Sequence, residues 1–135
     1  MREENKRENI KNELDRASKT LLEADLLFNN NFITGAVSRL YYSLLYTIRA
    51  LLLTKGHEPR SHEGALRLFG LLFIKENIFE TKDSHIFSRL MKYREEADYN
   101  PSYMFTREDF IEFKNESEEL SNKIRTYMKE KGYLI

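Results

Sequence analysis

The stretch from Gly35 to Leu53, GAVSRLYYSLLYTIRALLL, is apolar on nearly every face of a helix. Its polar members are Ser38, Arg39, Ser43, Thr47 and Arg49, with the hydroxyls of Tyr41, Tyr42 and Tyr46. A helix with no polar side is normally buried by neighbours on several sides. A membrane span needs about twenty apolar residues with few or no charges. Arg39 and Arg49 break that condition, so the stretch reads as the central helix of a bundle and no membrane is expected as a partner.

The rest of the chain supplies the neighbours. From Glu3 to Asn29, the residues Ile10, Leu14, Ala17, Leu21, Ala24 and Phe28 fall at alternating spacings of four and three, one seam on a first helix. Asn29, Asn30 and Asn31 stop it, because asparagine tolerates the left-handed conformation that ends helices. Thr34 is a candidate N-cap for the central helix, which should end near Lys55 with Gly56 in the terminating position. Ser61 can cap a third helix, rich in Leu and Phe, that runs to Ile74. Ser84 or Asp83 is placed to cap a fourth, which Pro101 prevents from continuing past Tyr99. Thr106 and Asp109 have the spacing of a capping box for a fifth, with Phe105 and Phe110 at staple positions.

These elements predict an all-α fold. It is an antiparallel up-and-down bundle of about five helices, a four-helix core plus one, with loops of roughly five to seven residues. Residues 1–135 read as a single domain, since no composition shift or linker interrupts them. Lys+Arg and Asp+Glu are 22 each, so an RNA site would have to be a local patch. There is no cysteine, which excludes disulfides and thiolate chemistry. The charged start MREENKRENIKNEL has no apolar signal segment, and a cytoplasmic location is expected.

Three places carry candidate chemistry. Arg94 and Asp98 are four apart near the end of the fourth helix and share a face. They are either a phosphate grip or a surface ion pair. His62 is either a general base or phosphate contact, or a half-buried histidine at a helix start. Ser38, Arg39, Tyr42, Ser43, Tyr46 and Arg49 form a polar strip on the central helix. It reads as a site wall, a dimer interface, or hydroxyls paired inside the bundle. No three-ligand metal pattern, glycine-rich phosphate loop or nucleophile elbow is present, so neither metal nor cofactor is expected.

Three segments together resemble the HEPN domain family of small helical prokaryotic proteins. They are Ala36-Val37-Ser38-Arg39-Leu40-Tyr41-Tyr42, then Ser61-His62-Glu63-Gly64-Ala65-Leu66-Arg67-Leu68-Phe69, then Arg94-Glu95-Glu96-Ala97-Asp98-Tyr99. The resemblance covers roughly residues 9 to 130. It implies an antiparallel bundle that pairs as a homodimer, often a toxin whose antitoxin is a small nucleotidyltransferase. It also implies metal-independent ribonuclease chemistry, in which an arginine steadies the phosphate and a histidine a few residues later moves a proton. Arg94 matches the arginine, while residues 95–101 contain no histidine. Two expectations follow. In one, Arg94 grips an RNA phosphate, Asp98 orients it, and Tyr99 or His62 handles the proton, with Arg39, Tyr42 and Ser61 binding the nucleotide or RNA. In the other, the domain is a non-catalytic module for a nucleotide or a nucleotidyltransferase. Tyr99 and Tyr103 are the tyrosines a partner nucleotidyltransferase could modify.

Overall fold

The computed structural model describes residues 3–134. Five α-helices follow one another: α1 Glu3–Asn29, α2 Ile33–Leu53, α3 His62–Phe69, α4 Thr81–Tyr99 and α5 Arg107–Glu130. A π-helical turn, Gly70–Ile74, extends α3. No strand occurs among the described residues, and none of their helices is long and apolar enough to cross a membrane.

The apolar stretch takes the centre, as its composition requires. Fourteen of the 21 residues of α2 are buried, and α2 packs against α1, α3, α4 and α5. The other helices show it one side only. On α1 the buried positions are Ile10, Leu14, Ala17, Thr20 and Ala24. On α5 they are Phe110, Ser117, Leu120, Ile124 and Met128. The result is the antiparallel all-α bundle that the periodicity predicts.

Four helix ends are made the same way. Asn31, Gly56, Asn77 and Gly132 all have positive φ, between 60° and 84°. After each, one amide reaches five residues back: Phe32 to Leu27, His57 to Leu52, Ile78 to Phe73 and Tyr133 to Met128, all at 2.8 to 3.1 Å. This double-bonded stop satisfies carbonyls that a helix end otherwise leaves unpaired. At Asn31 it also reverses the chain, so α2 starts directly afterwards.

Three details differ from the sequence reading. Thr34 lies inside α2, whose N-cap is Phe32 with no capping side chain. The first connection is only residues 30–32, because the turn after α1 already points the chain back. Neither Ser84 nor Asp83 caps α4 as N-cap; Glu80 holds that position, and its amide donates to Asp83 Oδ2 at 3.0 Å. Ser61 and Thr106 do cap α3 and α5, accepting from Gly64 N and Asp109 N.

Asp83 does more than close this turn. It is 1% exposed, and its Oδ2 also accepts from Lys123 Nζ of α5 at 2.6 Å. Replacing Asp83 with alanine removes the cap and a hydrogen bond between charged groups, each worth about 1–2 kcal/mol. The expected loss in unfolding free energy is therefore about 2–4 kcal/mol. Urea denaturation checks it, and a change under 0.5 kcal/mol would contradict the assignment.

Candidate functional site

Three helices meet at one end of the bundle. Tyr41 of α2 is fully buried, and its ring lies between two others: Phe87 of α4 at 5.9 Å and His62 of α3 at 5.6 Å, centre to centre. The Tyr41 hydroxyl sits 2.6 Å from Nδ1 of His62. Burial raises the phenol pKa, so Tyr41 remains a neutral phenol. Tyr42 meets the imidazole edge-on at 5.9 Å.

His62 is held where it is by its own helix start. It is the first residue of α3, and Ser61 Oγ accepts from Gly64 N at 2.9 Å. A side chain at position 64 would put a Cβ 2.8 Å from Ser61 Oγ, so a larger residue there requires the hydroxyl to shift. The imidazole is half-buried. Desolvation lowers its pKa below the ordinary 6.5, and the charges of Arg94 and Arg49 push in the same direction. The bond to Tyr41 occupies Nδ1. Among the described residues nothing hydrogen-bonds to Nε2.

Arg94 projects from the last turns of α4 onto the same tyrosines. Its guanidinium carbon is 5.4 Å from the Tyr41 ring centre, 5.9 Å from that of Tyr42 and 6.0 Å from that of Tyr99. The residue is 7% exposed, and its Nε is buried without a hydrogen-bond partner. Asp98 stands one turn later, with Oδ2 3.8 Å from an Arg94 terminal nitrogen. Its Oδ1 accepts from Ser38 Oγ of α2 at 2.8 Å. Asp98 thus ties the end of α4 to α2 and gives Arg94 a loose counter-charge. An open space of about 480 Å³ is lined by Arg94, Glu95, Glu96, Tyr99 and Asn100.

The structure therefore brings Arg94, Asp98, Tyr99, His62 and Tyr42 together within one chain. Ser61 serves through its cap. Arg39 is exposed, with no ion pair or hydrogen bond to the cluster. Tyr99 is 75% exposed and Tyr103 39% exposed, so both hydroxyl-bearing rings are open to solvent. The polar strip of α2 does not act as one surface. Ser43 Oγ donates to Ala17 O of α1, and Tyr46 lies under the Arg16 guanidinium at 4.0 Å, while Ser38 and Tyr42 face α3 and α4. Tyr41, the hub of the cluster, is not among the candidate site residues named from the sequence. Its one signal is a hydroxyl next to Tyr42 in an otherwise apolar run. Among the described residues no three of His, Cys, Asp and Glu are grouped to hold an ion.

Chemically, the cluster offers a half-freed arginine and an uncharged imidazole on a common aromatic floor. A cation seated on ring faces and only loosely paired can take a new anion without first breaking a tight bridge. A neutral imidazole with one nitrogen fixed and the other open can take or give a proton.

Known proteins share this chain's pattern over most of its length. The model of the HEPN domain family matches residues 10–127. Two Methanocaldococcus jannaschii proteins, each named "Putative toxin", are 33% identical. One aligns over 121 residues, 90% of this chain and 82% of the relative, and the other over 124 residues, 92% of each. A Thermotoga maritima protein named "UPF0332 protein" is 34% identical over 94 residues, 70% of this chain and 71% of the relative. The match takes in α2, α3 and α4, the three helices that build the cluster. With the helical bundle and these matches in hand, the chain belongs to the HEPN domain family.

Proposed function

We infer that this is a toxin-like HEPN protein that grips an RNA phosphodiester with Arg94 and cuts it without a metal. The observation that carries the reading is the shared floor: Arg94 and His62 both pack on Tyr41 and Tyr42, so imidazole and guanidinium come from different helices to one place. His62 then fills the role for which residues 95–101 offer no histidine.

The step balances with the groups at hand. The ribose 2′-oxygen attacks the adjacent phosphorus as its proton passes to His62 Nε2. The bond from phosphorus to the 5′-oxygen breaks, leaving a 2′,3′-cyclic phosphate. The departing oxygen takes a proton from His62 or from water. Arg94 offsets the charge that builds on the non-bridging oxygens, and Asp98 holds Arg94 in line. In this reading the chain works as a homodimer and is paired with a nucleotidyltransferase antitoxin, to which the exposed Tyr99 and Tyr103 are accessible.

The test is RNA cleavage by the purified dimer in EDTA, wild type beside His62→Gln. Glutamine keeps a hydrogen-bonding partner for Tyr41, so the fold should survive. Loss of the proton carrier is expected to slow cleavage by about 10²-fold or more. The pH profile adds a second readout. A base must be unprotonated to act, and the His62 pKa is lowered from 6.5. The acid limb of kcat/KM should therefore be centred below pH 6.5. An acid limb centred above pH 7, or an unchanged rate in His62→Gln, would count against His62.

One observation favours a second reading: the end of α4 carries Arg94, Asp98 and Tyr99 with no histidine after them. On that reading the cluster binds a nucleotide or a nucleotidyltransferase and cuts nothing. Absence of cleavage by a demonstrated wild-type dimer would turn the assignment that way.

A further inference from the structure

A second cavity, of about 330 Å³, lies between α1, α2 and the loop that leads into His62. Glu13, Arg49, Leu53, Pro59 and Arg60 are among its walls. Its volume is at the lower end of the range of about 300–1,000 Å³ for small-molecule pockets. It adjoins the Arg94 cluster, since the charge of Arg49 reaches both His62 and Tyr41. The loop residues Pro59 and Arg60 run directly into Ser61 and His62.

Two polar atoms here are out of solvent and unpaired: Glu13 Oε2 and Arg49 Nε. Their side chains feel each other's charge, yet they form no salt bridge with each other. Neither carboxylate oxygen of Glu13 has a hydrogen-bond donor among the described residues, and Arg49 has no carboxylate partner there. Leaving a buried polar group unmatched costs about 1–3 kcal/mol. A carboxylate with two free acceptors beside a guanidinium with free donors is therefore a recognition surface with a definite complement. The complement has two neighbouring N–H donors and an adjoining carbonyl. Leu53 and Pro59 add apolar wall for the faces of a flat ring.

Among RNA bases, guanine alone carries that set on its Watson–Crick edge: N1–H, the 2-amino group and O6. Adenine has one donor group beside one acceptor, cytosine one donor group beside two acceptors, and uracil a single N–H. Unstacked bases of single-stranded RNA are read on these edges.

We propose that this groove is a base-reading pocket that takes a guanine of single-stranded RNA, next to the phosphate held at Arg94. Glu13 accepts from N1–H and the 2-amino group, and Arg49 donates to O6. The proposal takes its substrate class from the RNA reading above.

The experiment titrates the purified full chain with GMP, IMP and AMP, followed by NMR chemical shifts. IMP is GMP without the 2-amino group, so it removes one contact and keeps the ring. GMP should bind about tenfold more tightly than IMP or AMP. In Glu13→Gln, which keeps the size of the side chain and has only one acceptor oxygen, the advantage of GMP over IMP should vanish. Equal affinity for the three nucleotides in the wild type overturns the proposal. Binding of none of them overturns it as well, as does an unchanged GMP preference in Glu13→Gln. The two sites fail separately. If Arg94→Lys weakens all three nucleotides equally and no base is preferred, the phosphate reading stands and the base pocket falls. A preference set by Glu13 that persists in Arg94→Lys keeps the base pocket even where no RNA is cut.

Discussion

Exchanging Arg94 for lysine is expected to slow metal-free RNA cleavage about 10³-fold while the fold survives. Lysine keeps the positive charge and most of the stem, so the change isolates what the guanidinium alone does. Arg94 sits 5.4 Å and 5.9 Å from two tyrosine rings, with Asp98 as a loose partner at 3.8 Å. A planar fork can lie on those rings and still offer two parallel N–H groups to a phosphate. An ammonium on a flexible stem is a point charge and does neither well. Alanine is the poorer probe here, because Arg94 is 7% exposed and its removal would open a void at the α2–α4 contact. The measurement is the cleavage rate in EDTA, with circular dichroism and melting temperature as fold controls. A rate within threefold of wild type would falsify the role given to Arg94.

The largest loss of stability is expected from Phe69→Ala. Phe69 is fully buried in an aromatic cluster, with ring centres 6.3 Å from Phe73, 6.0 Å from Phe79 and 6.3 Å from Phe87. Truncating such a ring removes its transfer energy and leaves a cavity, together about 3–5 kcal/mol. A domain of this kind is stable by only about 5–15 kcal/mol in total. Phe87 also stacks on Tyr41, so the same change loosens the floor under Arg94 and His62. Chemical denaturation should show a midpoint shift with little change in slope. A loss below 1 kcal/mol would mean that the cluster closes over the gap.

The contrast between these two residues shows what can be read in advance. Phe69 lies in a run whose apolar density demands burial, and Ile10, Leu14, Ala17 and Ala24 mark their helix face by spacing alone. The caps at Ser61 and Thr106 are equally local, since a hydroxyl and the amide three residues on define them. The Glu80 start escaped because glutamate is a weak N-cap type, and there the closing oxygen comes from Asp83. Arg94, Asp98 and His62 are visible as residue types. Their meeting is not, because 32 positions separate His62 from Arg94 and only the packing of three helices sets the distance. The division of the α2 strip between two surfaces follows from 100° of rotation per residue. Ser43 is turned far from Ser38, a point that a list of polar residues hides. Tyr41 shows only a hydroxyl in an apolar run, and Glu13 is one charge among many on α1. Their importance lies in what they face.

The π-helical turn Gly70–Ile74 bears on how this chain should be aligned with its relatives. Its signature bond runs from Lys75 N back to Gly70 O, five residues, at 2.9 Å. Such a turn holds one residue more than an α-helix following the same path. Leu71, on its outer side, is 46% exposed, whereas Phe69 and Phe73 on either side are fully buried. A relative lacking one residue here can keep both phenylalanine positions in register by continuing as plain α-helix. A single-residue gap between positions 69 and 73 therefore marks a difference in winding, and the core on either side can be compared residue for residue across it.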